Sequence, residues 1–131
     1  MSRLLIAIRE VGMRRALALV LCTALPPVTV AAISSWHELV ASLKSSPADL
    51  VIVDLAFISD AAMAVQVLRS AQPRTNIVIM STRPEDRRRA LAAGADAFLS
   101  TIDAPAHVVG TVRHLLEPDN DGRAANPSPK V

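Results

Sequence analysis

Short, uninterrupted aliphatic runs, separated by segments of a different hydrophobic period, are what most limit the folds open to this chain. Leu4-Leu5-Ile6-Ala7-Ile8, Leu50-Val51-Ile52-Val53 and Ile77-Val78-Ile79-Met80 offer no polar position at which a strand face could meet water. Strands of that kind are buried on both faces, as in parallel sheets covered by helices. The run at 50–53 ends directly in a lone carboxylate, Asp54. Burying an ionised carboxylate costs on the order of several kcal/mol unless something compensates, so Asp54 needs a reason to be there.

Between these runs the apolar residues recur at helical spacing. A first strand at 3–8 is followed by a helix over Val11–Ala24, which Pro26-Pro27 ends. Val28–Ile33 reads as the second strand. Ser34 or Ser35 caps the next helix, with Glu38 completing a capping-box pattern and Trp36, Leu39, Val40 and Leu43 forming an apolar face. Pro47 precedes the third strand, 50–55; a helix over 60–71 and a fourth strand over 76–80 follow. Pro84 suits the first turn of a helix running to Ala93, with Glu85 and Asp86 at its dipole and Gly94 at its C-cap. Strand five is expected over 95–100. Asp103 is the expected cap of a last helix, with Pro105 in its first turn and Val108, Val109, Val112, Leu115 and Leu116 as its buried stripe.

Five successive βα units predict an α/β doubly wound domain with a five-stranded parallel sheet and helices on both faces. The domain is expected over 1–116, with a disordered tail over 117–131, where the apolar period stops. Asp119-Asn120-Asp121-Gly122 lacks the glycine and glutamate spacing of a calcium loop.

Composition narrows the function. The chain is 51% hydrophobic with one Trp and no Tyr, which argues against a stacking platform for single-stranded nucleic acid. The net charge of +2 is mild, and Arg14-Arg15 and Arg87-Arg88-Arg89 read as solvated helix faces rather than nucleic-acid patches. The uncharged stretch 16–33 is divided by Pro26-Pro27 into pieces of about ten and six residues, against the ~20 that a spanning helix needs. With Cys22 the only cysteine, these features suggest a cytoplasmic protein without membrane or nucleic-acid partners. A nucleophilic trio of Ser81, His107 and Asp54 can be written down. The Gly-x-Ser-x-Gly elbow that would support it is absent, as is any Gly-rich phosphate loop.

Chemistry in open parallel sheets gathers beyond the carboxyl ends of the strands. Arg9 and Glu10, Asp54, Ser81 and Thr82, and Ser100 and Thr101 all fall there. Two segments carry a family resemblance: Pro47-Ala48-Asp49-Leu50-Val51-Ile52-Val53-Asp54-Leu55 and Ala90-Leu91-Ala92-Ala93-Gly94-Ala95-Asp96-Ala97-Phe98-Leu99. Together and in order, over about 4–116, they resemble the receiver domain of two-component response regulators. That resemblance implies a flavodoxin-like (βα)5 fold with strand order 2-1-3-4-5. It also implies a stand-alone, non-enzymatic regulatory module in a phosphorelay, whose partner is a histidine kinase or another signalling protein. Asp54 would be the phospho-acceptor, attacking a phosphohistidine to give an acyl phosphate. Glu10, Asp54 and the Ala56 carbonyl would hold Mg²⁺, and Ser81 and Phe98 would be the switch pair. The face of helix four, strand five and helix five, with Arg87 to Arg89, Phe98 and His107, would be the docking or homodimer surface.

The chain also departs from the family. Arg9 replaces one of the two metal-binding acids, and Thr101 stands where the family has a lysine. Ile58 and Ala62 occupy the region of a usual proline and glycine, and the stretch between Ser81 and Gly94 is shortened. Arg9 would either clamp a phosphoryl group, pair with Asp54 in its place, or compete with Mg²⁺. The alternative is therefore a pseudo-receiver that works through protein–protein contacts without phosphorylation.

Overall fold

The computed structural model describes residues 2–25 and 27–117. The expected tail falls outside these residues, except for its first position, Glu117. Ten elements alternate: β1 (Ser2–Ala7), α1 (Val11–Ala24), β2 (Val28–Ile33), α2 (Trp36–Ser45), β3 (Leu50–Asp54), α3 (Ala61–Ala71), β4 (Asn76–Ser81), α4 (Asp86–Ala92), β5 (Ala97–Ser100) and α5 (Pro105–Leu116). The strands form one parallel sheet in the order β2-β1-β3-β4-β5. This is the doubly wound arrangement that the two hydrophobic periods require.

The aliphatic runs are apolar at every position because the sheet has a core on each side. Successive residues point to opposite faces. Leu5, Ala7, Val51, Val53, Ile77 and Ile79 pack with Leu39, Leu43, Val65 and Leu68 of α2 and α3. Leu4, Ile6, Leu50, Ile52, Val78 and Met80 pack with Leu17 and Leu21 of α1 and Val108, Val109 and Val112 of α5. All five residues of β3, the central strand, are buried. Each fully buried aliphatic side chain contributes roughly 1.5–3 kcal/mol relative to exposure.

Helix starts follow local chemistry. Ser35 accepts a hydrogen bond from the Glu38 N–H (3.0 Å), while the Glu38 carboxylate reaches back to the N–H of Ser34 (3.4 Å) rather than that of Ser35. Asp60 accepts from the N–H groups of Ala62 and Met63. Beyond shifts of a single residue, three boundaries differ from the sequence expectation. Pro84 is not in the first turn of α4: it lies in a preceding turn, where Asp86 N–H bonds Arg83 O and Arg87 N–H bonds Pro84 O. β5 starts at Ala97 because the Ala95 N–H turns back to Ala90 O and closes α4. Asp103 does not cap α5. Its carboxylate accepts from Ser100 N–H (2.8 Å), leaving Ala104 at the N-cap without a side-chain bond. Pro105 limits the cost, since a proline in the first turn has no N–H to satisfy.

Gly94 follows α4 with φ +107°, the one left-handed position among the described residues. A glycine there lets the chain reverse from α4 into β5 without Cβ strain.

Candidate functional site

The carboxyl ends of β1, β3, β4 and β5 bring the sequence-selected residues to one rim. Asp54 is the last residue of β3 and is only 7% exposed. Its burial is compensated by main-chain donors: Oδ2 accepts from Arg9 N–H (3.1 Å) and Oδ1 from Ala56 N–H (2.9 Å). Charge-assisted bonds of this kind are the strong class of protein hydrogen bond. Asp54 is thereby tied both to the β1–α1 loop and to its own exit turn, where Phe57 N–H bonds the Asp54 carbonyl.

Arg9 meets Asp54 through its backbone, not its side chain. Its residue is exposed, and among the described residues no ion pair joins its guanidinium to a carboxylate. The anticipated Arg9–Asp54 charge pair is therefore not formed. Glu10 is the N-cap of α1, with Oε1 accepting from Met13 N–H at 2.6 Å. Gly12 makes room for this cap, since a Cβ there would come within 3.2 Å of Glu10 Oε1.

Mg²⁺ demands near-octahedral oxygen coordination, usually with carboxylates supplying charge. Here Glu10 is bonded to its own helix, both Asp54 oxygens accept from the main chain, and Arg9 carries a cation at the same loop. Among the described residues, no group of three or more His, Cys, Asp or Glu side chains converges. As arranged, the rim presents no preformed pair of free carboxylates for the ion.

Ser81 ends β4 and is 4% exposed. Its hydroxyl donates to Asp86 Oδ2 (2.7 Å) and accepts from Arg83 N–H (3.0 Å). Both bonds tie it to the β4–α4 turn. Thr101 extends the sheet by one bond, its N–H to Ser81 O (3.1 Å), which places it beside Ser81 at the rim. Phe98 is 8% exposed and belongs to the core cluster with Ile79, Ala90 and Ala95. It therefore underlies the α4–β5–α5 face rather than forming part of its surface. Arg87, Arg88 and Arg89 are exposed there, as expected of a solvated helix face. The Ser81, His107 and Asp54 trio is not assembled as a relay, because the Ser81 hydroxyl bonds Asp86 and His107 Nε2 lies 3.8 Å from Asp103.

Two contributors were not legible in sequence. Asp86, read only as a charge at a helix dipole, is the partner of Ser81. Arg14, assigned to a solvated face, turns its guanidinium onto the carbonyls of Ile8 (2.7 Å) and Arg9 (3.4 Å), holding the loop that delivers the Arg9 N–H to Asp54. Its position six residues after Ile8, in the second turn of α1, is the only sequence signal for that contact.

Against this geometry, solved structures provide a frame. The fold is that of response-regulator receiver domains. Similar structures include a LuxR family DNA-binding response regulator from Silicibacter pomeroyi, at 23% identity and TM-score 0.78, covering 88% of this chain and 92% of that one. A LuxR family DNA-binding response regulator from Staphylococcus aureus is similar at 16% identity and TM-score 0.77, covering 88% and 98%. A response regulator from Burkholderia pseudomallei, solved with a phosphorylated aspartic acid, a calcium ion and citrate, is similar at 17% identity and TM-score 0.73, covering 98% and 74%. No family model matches the chain, and no curated protein matches it. Among the described residues no helix is long and apolar enough to cross a membrane.

Proposed function

We propose that this chain is a regulatory protein-interaction module of receiver fold, acting in two-component-type signalling without turnover and without phosphorylation of Asp54. The observation that carries this reading is the state of Asp54. Each of its oxygens accepts a backbone N–H, and Glu10, the acid of the β1–α1 loop, caps α1. A phosphoryl acceptor needs cations to offset the charge that develops on the transferring group. Thr101 supplies none, and among the described residues the Arg9 guanidinium makes no ion pair with Asp54.

The surroundings suit contact with another protein. Val11 at the start of α1, Met63 in the first turn of α3 and Ile102 after β5 are exposed apolar residues at the carboxyl-end rim, Ile102 by 88%. On the α4–β5–α5 side, Arg87 to Arg89 are an exposed basic stretch of α4, and a shallow groove of about 420 Å³ between β5 and α5 is lined by Asp96, His107 and His114 among others. A signalling protein with an acidic surface, such as a kinase or its target, is the partner this side would accept, and a second copy is the other occupant it admits.

The phosphorylatable reading draws on one feature: Ser81 at the end of β4 and Phe98 within β5 match, by family resemblance, a receiver's switch pair. Intact mass after incubation with a small phosphodonor and Mg²⁺ separates the two. The expected result is no adduct on folded protein. A single phosphate adduct that disappears in Asp54→Asn would reverse the conclusion and restore Asp54 as acceptor, with Mg²⁺ held by a rearranged Glu10.

A further inference from the structure

The two edges of the sheet are guarded differently. β5 is four residues long and is preceded by Asp96, whose carboxylate is already bonded to Ile77 N–H and Arg69. β2 is six residues long, reads VTVAAI, and pairs with β1 in unbroken register. It has no charge, no internal proline and no bulge, the devices that ordinarily keep an edge from recruiting another strand.

The register shows which groups are open. Ser2 N–H donates to Pro27 O (3.4 Å), and Ser2 lies opposite Val28. In a parallel ladder the bonding residues alternate, so Thr29, Ala31 and Ile33 turn their backbone groups towards β1. Val28, Val30 and Ala32 turn theirs outward. Among the described residues, no hydrogen bond from outside the sheet reaches these three. α1 and α2 pack on the faces of the strand, but Thr29 and Ala32 are exposed and no described segment bonds along its outer edge.

We infer that β2 is a docking edge for a second copy of this chain, whose own β2 lies antiparallel to it and joins the two sheets. A two-fold axis requires an antiparallel, self-complementary pairing. The outward residues allow one: Val30 opposite Val30 of the second copy, and Val28 opposite its Ala32. The central pair is β-branched, the flanking pairs match large with small, and Thr29 meets Ala31 on the other face. The strand carries no charge to repel its copy, nor any to select a charged partner. β2 lies at the opposite end of the sheet from β5, so this contact leaves the α4–β5–α5 face open and does not rest on the reading of Asp54.

The test is sedimentation of the full chain from ~1 μM to ~1 mM, combined with residue-resolved amide exchange at both ends of that range. The expected result is a rise from monomer to dimer mass, with exchange at Val28, Val30 and Ala32 slowed roughly tenfold or more while Thr29 and Ala31, already bonded to β1, change little. Ala32→Pro removes an outward N–H without breaking the ladder to β1 and should remain a monomer throughout. If that variant does not fold, Thr29→Lys adds a charge to an exposed side chain and should weaken dimerisation by about tenfold or more. A wild-type monomer over the whole range overturns the inference and leaves the edge to an extended segment of another protein. So does a dimer whose new protection falls on α4 or β5, or one that both variants leave intact.

Discussion

Asp54 illustrates how a single buried polar residue is made tolerable. Its two oxygens take one N–H from each of two loops, so the carboxylate joins β1 to the exit of β3 as well as ending the strand. Asp54→Ala would leave the Arg9 and Ala56 N–H groups without their acceptor, with an expected loss of about 2–4 kcal/mol. Asp54→Asn keeps one carbonyl oxygen but turns an NH₂ towards the second donor, so about half of that loss is expected. Urea unfolding of the three proteins checks the order. If Asp54→Ala were as stable as the parent, the two loop bonds would not be what compensates the burial. The residue's place at the end of a strand was legible in sequence, whereas its partners were not, since backbone donors carry no residue-specific signal.

At the scale of elements, two glycines separate conformational need from space. Gly94 has φ +107°, but an added Cβ would meet only Val65 Cγ1 at 3.8 Å. Gly94→Ala is therefore strained by the backbone rather than by crowding and should lose about 1–2 kcal/mol. Gly110 lies inside α5, where an added Cβ meets nothing within 4 Å, and Gly110→Ala should gain about 0.5–1 kcal/mol. Thermal melts of the two variants should move in opposite directions. Helix identity came through in sequence because the 3.6-residue stripe extends over several turns. The first turns of α4 and α5 did not, because Ser81 and Ser100 compete for the side chains or amides that would have set them: Asp86 bonds the Ser81 hydroxyl and Asp103 bonds the Ser100 N–H.

For the whole molecule, the two hydrophobic layers share the strands between them. Leu21 is fully buried in the α1–α5 layer, while Trp36 packs at the margin of the α2–α3 layer on the other side of the sheet. Leu21→Ala should cost about 2–5 kcal/mol and shift the Trp36 fluorescence transition by the same amount as the far-UV circular dichroism transition. Separate midpoints would mean that the layers unfold independently. The linkage follows from β3, whose residues alternate between the two layers.

The alternation of short aliphatic runs with helical stripes was enough to determine the α/β class, the five βα units and the rim where Asp54, Ser81 and Thr101 meet. Hydrophobic period is a local property, and once each strand must be covered on both faces few arrangements remain open. Tertiary structure alone decided what the rim residues do. Glu10 becomes a cap for α1, Arg14 a brace for the β1–α1 loop, Ser81 a partner of Asp86, and Phe98 a core residue. A polar side chain bonds whichever donor or acceptor the packed backbone brings within about 3 Å, and that proximity is set by the fold rather than by neighbours in the chain.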